Sequence, residues 1–168
     1  MDSNDNVPQI KELPHTKLVG LRVRMSLARN TTAGLWQKFM LRRREIKNAA
    51  GGDLYSVEIY DSSFFQRFDA TREFEKWAAV QVNDHEQIPE DMEPLTLPAG
   101  LYAVFTYRGK PSEAQNFYRY IFEEWILRSA YTLDHRPHFA IMGAHYKGEH
   151  PDSEEEVWIP VKNKRSAN

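Results

Sequence analysis

The residues of this chain best suited to chemistry lie near its end, where Glu154-Glu155-Glu156 runs into Val157-Trp158-Ile159-Pro160-Val161. If this segment is a strand, alternation sets Val157, Ile159 and Val161 on one face and Glu156, Trp158 and Pro160 on the other. The aliphatic triplet belongs against a helix, and the second triplet puts a carboxylate beside an indole. A carboxylate facing a dry groove is costly unless a cation neutralises it. An aromatic face adds about 0.5–2 kcal/mol for a well-placed cation. The pair suits a desolvated organic cation or, with water at hand, general-base catalysis. A solvated acidic run before an edge strand is the competing reading, and from spacing alone it is the stronger.

Other candidates surround this one. Phe105 and Tyr107 share a face of an aromatic strand, and the Tyr107 hydroxyl could reach a ligand or Glu156. A structural tyrosine with an ordinary partner is the alternative. Tyr60, Phe64 and Phe65 flank a connection rich in aromatic residues, either a lid over a groove or a local hydrophobic cluster. His135, His138, His145 and His150 fall close together, but none shows HExxH or i, i+4 spacing, so no metal site is expected. The chain has no cysteine, which removes disulfides, thiol catalysis and cysteine-bound zinc. No G-x-S-x-G elbow, phosphate-cradling loop or dinucleotide fingerprint is present, and no cofactor is expected.

These residues need elements to hold them. Lys17–Met25 reads as a strand, followed by a helix from the N-cap Asn30 to about Asn48, stopped by Gly51-Gly52. Leu54–Tyr60 and Phe74–Val82 are strands, and a polar linker runs from Asn83 to about Glu93. The order then repeats: strand Leu101–Tyr107, a helix opened by a Ser112/Gln115 capping box and running to about Arg128, and strands His138–Tyr146 and Glu155–Val161. The expected fold is α+β: two βαββ repeats related by a pseudo-two-fold, with antiparallel sheets, helices on one face and a ligand groove between the halves. Residues 1–14 read as a polar leader, 15–84 and 95–163 as the two halves of one domain, and 164–168 as a tail.

Each helix would cover one face of its sheet, and the uncovered faces would line a common groove. Matching the halves pairs residues 74–82 with 153–161. If Trp77 lies opposite Glu156, then Trp77, Ala79 and Gln81 face that groove; otherwise Trp77 is core. A slip of one residue reverses every assignment.

Several segments resemble the GyrI-like (gyrase-inhibitor-like) family. Tyr102-Ala103-Val104-Phe105-Thr106-Tyr107-Arg108-Gly109 is similar to the strand that opens the second half of such domains. Phe122-Glu123-Glu124-Trp125-Ile126 resembles the family's "EW" helix. Leu133-Asp134-His135-Arg136-Pro137-His138-Phe139 resembles its "LDDRP-x-F" loop, with His135 where a second aspartate is usual. Residues 153–161 are similar to its closing "EEE-[VI]-WIP[VI]" strand. In the first half, Leu35–Met40 and Phe74–Val80 look like a stand-alone branch of the family. The resemblance spans about residues 10–163. It implies a groove for lipophilic, cationic or aromatic small molecules with a buried glutamate at its floor, which falls on Glu156. Trp158, Trp77, Tyr107, Phe105, Tyr60 and Phe65 are then the expected ligand contacts. Related effector-binding domains occur in AraC- and MerR-type multidrug regulators. Some stand-alone relatives hydrolyse strained cyclopropane-bearing compounds, which would make Glu156 and Tyr107 catalytic. A gyrase-inhibitor-like protein-interaction role is the third reading.

Composition bounds these readings. The chain has 168 residues, with 22 Lys+Arg against 24 Asp+Glu and a formal net charge of -2. Nothing there supplies the positive field that nucleic-acid binding requires, so direct DNA binding is not expected. Arg42-Arg43-Arg44 falls late in a predicted helix, where cations complement the helix dipole. No stretch reaches the roughly 18 apolar residues of a membrane span, and the N-terminus lacks a signal peptide's apolar core. The expected compartment is the cytoplasm and the expected partner a small molecule. A protein partner or homo-oligomer is left open.

Overall fold

A computed structural model describes residues 7–164 as a curled antiparallel sheet of nine strands, a half-barrel, with two helical segments packed on it. The strands are β1 (Gln9–Leu13), β2 (Thr16–Met25), β3 (Ala49–Ile59), β4 (Phe74–Val82), β5 (Glu93–Leu97), β6 (Gly100–Arg108), β7 (Tyr131–Leu133), β8 (His138–Met142) and β9 (Glu154–Asn163). Their order is β1-β6-β9-β8-β3-β4-β2-β5, with β7 paired to the far end of β9. The central strands carry consecutive buried residues, such as Trp77 to Val80 in β4 and Val157 to Val161 in β9. Such runs mark strands covered on both faces.

Helix α1 spans Thr32–Arg42 and turns through a 3₁₀ segment, Arg43–Glu45. It is shorter than the expected helix to Asn48. Asn48 and Ala49 are drawn into pairing with the end of β4, Ala49 lying opposite Val82. Gly51 and Gly52 therefore fall inside β3, at an irregularity where Gly51 takes φ 105°. Asn30 accepts a bond from the Thr32 amide, and Thr31 holds the N-cap position.

The second helical segment is α2 (Gln115–Tyr120), a π-helical turn (Ile121–Trp125) and a final turn α3 (Ile126–Arg128). The expected capping box is absent. Ser112 gives both its amide and its hydroxyl to Glu149, at 2.9 and 2.6 Å. Among the described residues no helix is long and apolar enough to cross a membrane.

Both helical segments lie on the same face of the sheet. α1 sets Leu35 and Phe39 against Val19, Ala78 and Val80 of β2 and β4. α2 and its continuation set Ala114, Ile121 and Ile126 against Ala103, Phe105, Val157 and Ile159 of β6 and β9. The opposite face was expected to stay open as a groove, and it is closed. There Leu18, Tyr55, Val57, Trp77, Leu97, Tyr102, Val104, Phe139 and Trp158 form one buried cluster. The curl of the sheet explains the closure, because the edge strands β1 and β5 bring Leu13, Leu95 and Leu97 over this face. β1 comes from the segment that read as a leader, and β5 begins where the expected linker ends.

Candidate functional site

Beside the second helical segment, over β3, β8 and β9, lies a small cavity bordered by Glu58, Tyr60, Tyr118, Phe122, His138, Phe139, Val157, Trp158 and Ile159. Cross-strand register builds its floor. Glu58 sits opposite both Lys76 of β4 and His138 of β8, so three polar side chains form one rung beneath the helices. Lys76 donates to Glu58 in a close ion pair, and the two side chains are only 11% and 21% exposed. Val157 and Ile159 supply the aliphatic wall.

Aromatic rings form the roof. Phe65 reaches over from the β3–β4 connection and stacks on Phe122 at 4.8 Å and on His138 at 5.3 Å. Tyr60 meets the His138 ring edge-on at 5.0 Å. Phe122 sits within the π-helical turn, a feature often found at functional sites. The connection that carries Phe65 is pinned at its base, where Arg72 donates to both carboxylate oxygens of Asp61 at 2.8 and 2.9 Å.

Burial shapes the electrostatics. His138 is buried, and desolvation drives its pKa down to about 3, helped by the coulombic effect of Arg136 and then of His135. The ring is therefore neutral near pH 7. Beside the cavity, Glu155 shares the face of Val157 and Ile159. Its pKa is pushed up to about 7, first by desolvation and next by the Glu58 charge, against the opposing pull of Lys76. Burial, and then the same Glu58 charge, hold the Tyr60 and Tyr118 phenols well above their usual value. Two carboxylates against one ammonium leave this cluster one net negative charge when all three are ionised. Among the described residues no group of three or more His, Asp or Glu side chains is arranged to hold a metal.

The expected site residues divide between the two faces. Tyr60 lines the cavity and Phe65 roofs it. Phe64 packs instead with Met25 and Phe74. Glu156 is exposed and accepts a bond from the Trp158 indole at 3.0 Å, so it is not the buried carboxylate. Alternation did put Glu156, Trp158 and Trp77 on one face, but that face is the filled one. Trp77 is 3% exposed within that cluster, and Trp158 stacks there on Phe139 while also bordering the cavity. Phe105 packs edge-on against Trp125 in the core under α2. Tyr107 lies opposite Glu155 and donates to the Lys110 carbonyl at 2.6 Å in the turn after β6, so it does not border the cavity itself.

Glu58, Lys76, Glu155, Tyr118, Phe122 and His138 were not anticipated. A signal for three of them lay in the strands. Glu58 and Lys76 are charges set beside aromatic and β-branched residues within their strands, and Glu155 shares the alternation of Val157 and Ile159.

A curled antiparallel sheet with two helical segments over one face, and an aromatic cavity beside the second, places the chain among domains of mixed α and β structure. The chain belongs to the GyrI-like small molecule binding domain family, whose model matches residues 7–162. It is 27% identical over 158 residues to the transcriptional regulator BrlR of Pseudomonas aeruginosa, covering 91% of this chain and 54% of that protein. It therefore spans about half the length of that relative. Among solved structures it is similar to SAV2435 bound to tetraphenylphosphonium, with a TM-score of 0.70 and 22% identity over 92% of this chain and 93% of that one. The C-terminal domain of EcmrR matches with a TM-score of 0.67 and 16% identity, covering 92% and 96% of the two chains.

Proposed function

We propose that the cavity over β3 and β8 receives a lipophilic aromatic molecule carrying no more than one positive charge, in a sensing or sequestering role. The observation that carries this reading is the aromatic enclosure built around a half-buried, ion-paired carboxylate, Glu58. Aromatic walls offer flat contact surface, and the single net negative charge of Glu58, Lys76 and Glu155 matches a monocation. The tetraphenylphosphonium bound to SAV2435, a fold neighbour, is an aromatic monocation of this kind.

The closed cavity measures about 20 Å³, room for roughly one water molecule. Drug-sized ligands occupy roughly 300–1,000 Å³, so entry requires the roof to move. The roof is built for that, since α2 is only six residues long and runs into the π-helical turn that carries Phe122.

The proposed site falls on a pseudo-two-fold between two βαββ halves. Val57 pairs with Phe139, Ser56 with Ala140 and Glu58 with His138, the register a two-fold through the Val57–Phe139 pair requires. The strand order is consistent with it, β3-β4-β2-β5 running one way from the centre and β8-β9-β6-β1 the other. Glu75-Lys76-Trp77 and Glu156-Val157-Trp158 supply a local echo, each indole donating to the carboxylate two residues before it.

Thermal denaturation with tetraphenylphosphonium and neutral triphenylphosphine oxide tests the reading. A ligand at a hundred times its dissociation constant adds about 2.7 kcal/mol. For a chain of this size that raises the Tm by about 5–10 °C. A crystal of the complex should show the ligand between α2 and the β3–β8 pair. No Tm rise with either compound, or density on another surface, overturns the proposal.

A further inference from the structure

Resting on that reading, we propose that Lys76 sets the charge selectivity of the cavity, acting as a built-in cation that satisfies Glu58 in place of a ligand. Glu58 is the one carboxylate among the residues bordering the cavity. Its partner comes from the neighbouring strand at the directly opposed position, so the pair forms without distortion of either backbone. The Lys76 ammonium is 11% exposed, and its face of β4 continues into Ala78 and Val80 beneath α1. Long lysine side chains ordinarily carry their ammonium out to water. This one is held inside by the carboxylate it neutralises.

The consequence is electrostatic. A ligand cation that approaches Glu58 meets an ammonium already hydrogen-bonded there, and must share the carboxylate or displace it. A neutral aromatic ligand meets no such competitor. With Lys76 in place, the attraction available to an incoming cation comes from Glu155, which feels both Glu58 and Lys76. The counterpart of Lys76 in the other half, by the Glu-x-Trp correspondence, is Val157, an aliphatic wall residue. The ion pair of the rung is thus a feature of the first half alone, placed where the two halves meet.

Calorimetric titration at pH 8 with tetraphenylphosphonium and triphenylphosphine oxide, on wild type, Lys76→Met, Glu58→Gln and the double variant, tests this assignment. In Lys76→Met the cation-to-neutral affinity ratio should rise at least tenfold while the neutral ligand changes less than threefold. The double variant should return to within threefold of the wild-type ratio. Glu58→Gln, which leaves an ammonium unopposed, should lower the ratio at least tenfold. That arm stands if Lys76→Met does not fold. A ratio unchanged in both single variants, with wild type still binding, overturns the role of Lys76 and leaves the cavity reading intact. Heat from neither ligand with any protein overturns both.

Discussion

Two buried titratable groups flank the cavity, and they bias stability in opposite directions with pH. Glu155 moves from 4.5 in the unfolded chain to about 7 in the fold, through desolvation and the facing Glu58 charge, while Lys76 opposes and the Tyr118 phenol stays neutral. Between those values the native state holds more protons, so stability falls as pH rises, by up to about 3 kcal/mol. His138 moves the other way, from 6.5 to about 3, with Arg136 and His135 adding to its desolvation. There the unfolded state holds more protons, and stability rises with pH up to 6.5. From about 4.5 to 6.5 the two slopes oppose, and the wild-type profile should be nearly flat. Urea midpoints across this range should climb with pH in Glu155→Gln and decline with pH in His138→Gln. Parallel profiles for all three proteins would refute the assignment. Ligand binding separates the adjacent carboxylates in the same way. At pH 8 Glu155→Gln should weaken tetraphenylphosphonium binding about tenfold, whereas exposed Glu156→Gln should change it less than twofold, as measured by calorimetry.

The roof is the element whose motion admits a ligand. Phe65 is 40% exposed yet stacks on both Phe122 and His138, so it holds the β3–β4 connection against the second helical segment. Aromatic pairs of this kind contribute about 0.5–1.5 kcal/mol each. Phe65→Ala should therefore cost about 1–2 kcal/mol of stability and speed ligand association several-fold in stopped-flow tryptophan fluorescence. An association rate equal to wild type would mean that ligand enters by another route. This element was visible in the sequence as a run of aromatic residues in a connection, with its function as lid or cluster undecided. Phe65 serves the roof and Phe64 the cluster. β4 was likewise readable to its last residue, because aromatic, aliphatic and β-branched residues dominate Phe74 to Val82. The face that stays accessible could not be read locally. It depends on the curl that brings β1 and β5 together with Trp77 and Trp158, a closure set by residues from both ends and the middle of the chain. The alternation was right and the side was reversed, so attention fell on Glu156 rather than on Glu155, Glu58 and Lys76.

At the scale of the molecule, the closed face and the cavity face do separate work. Trp77 and Trp158 are 3% and 8% exposed, and both lie in the cluster that closes the half-barrel. Removing a buried indole costs about 3–5 kcal/mol, a large share of the roughly 5–15 kcal/mol that holds a domain together. Trp77→Ala and Trp158→Ala should each lower the urea midpoint sharply, and by similar amounts, if the two halves contribute equally to one core. Their effects on binding should differ. Trp77 lies on β4, and its ring belongs wholly to the closed face, so Trp77→Phe should leave tetraphenylphosphonium affinity within about threefold of wild type. Trp158 also borders the cavity and stacks on Phe139, another bordering residue. Trp158→Phe should therefore weaken binding by more than Trp77→Phe at matched loss of stability. Calorimetry and urea denaturation on the same two proteins decide the matter. Equal loss of affinity would mean that ligand binding reports only the integrity of the shared core, whereas an effect confined to Trp158 would mean that the ligand meets β9 at the cavity.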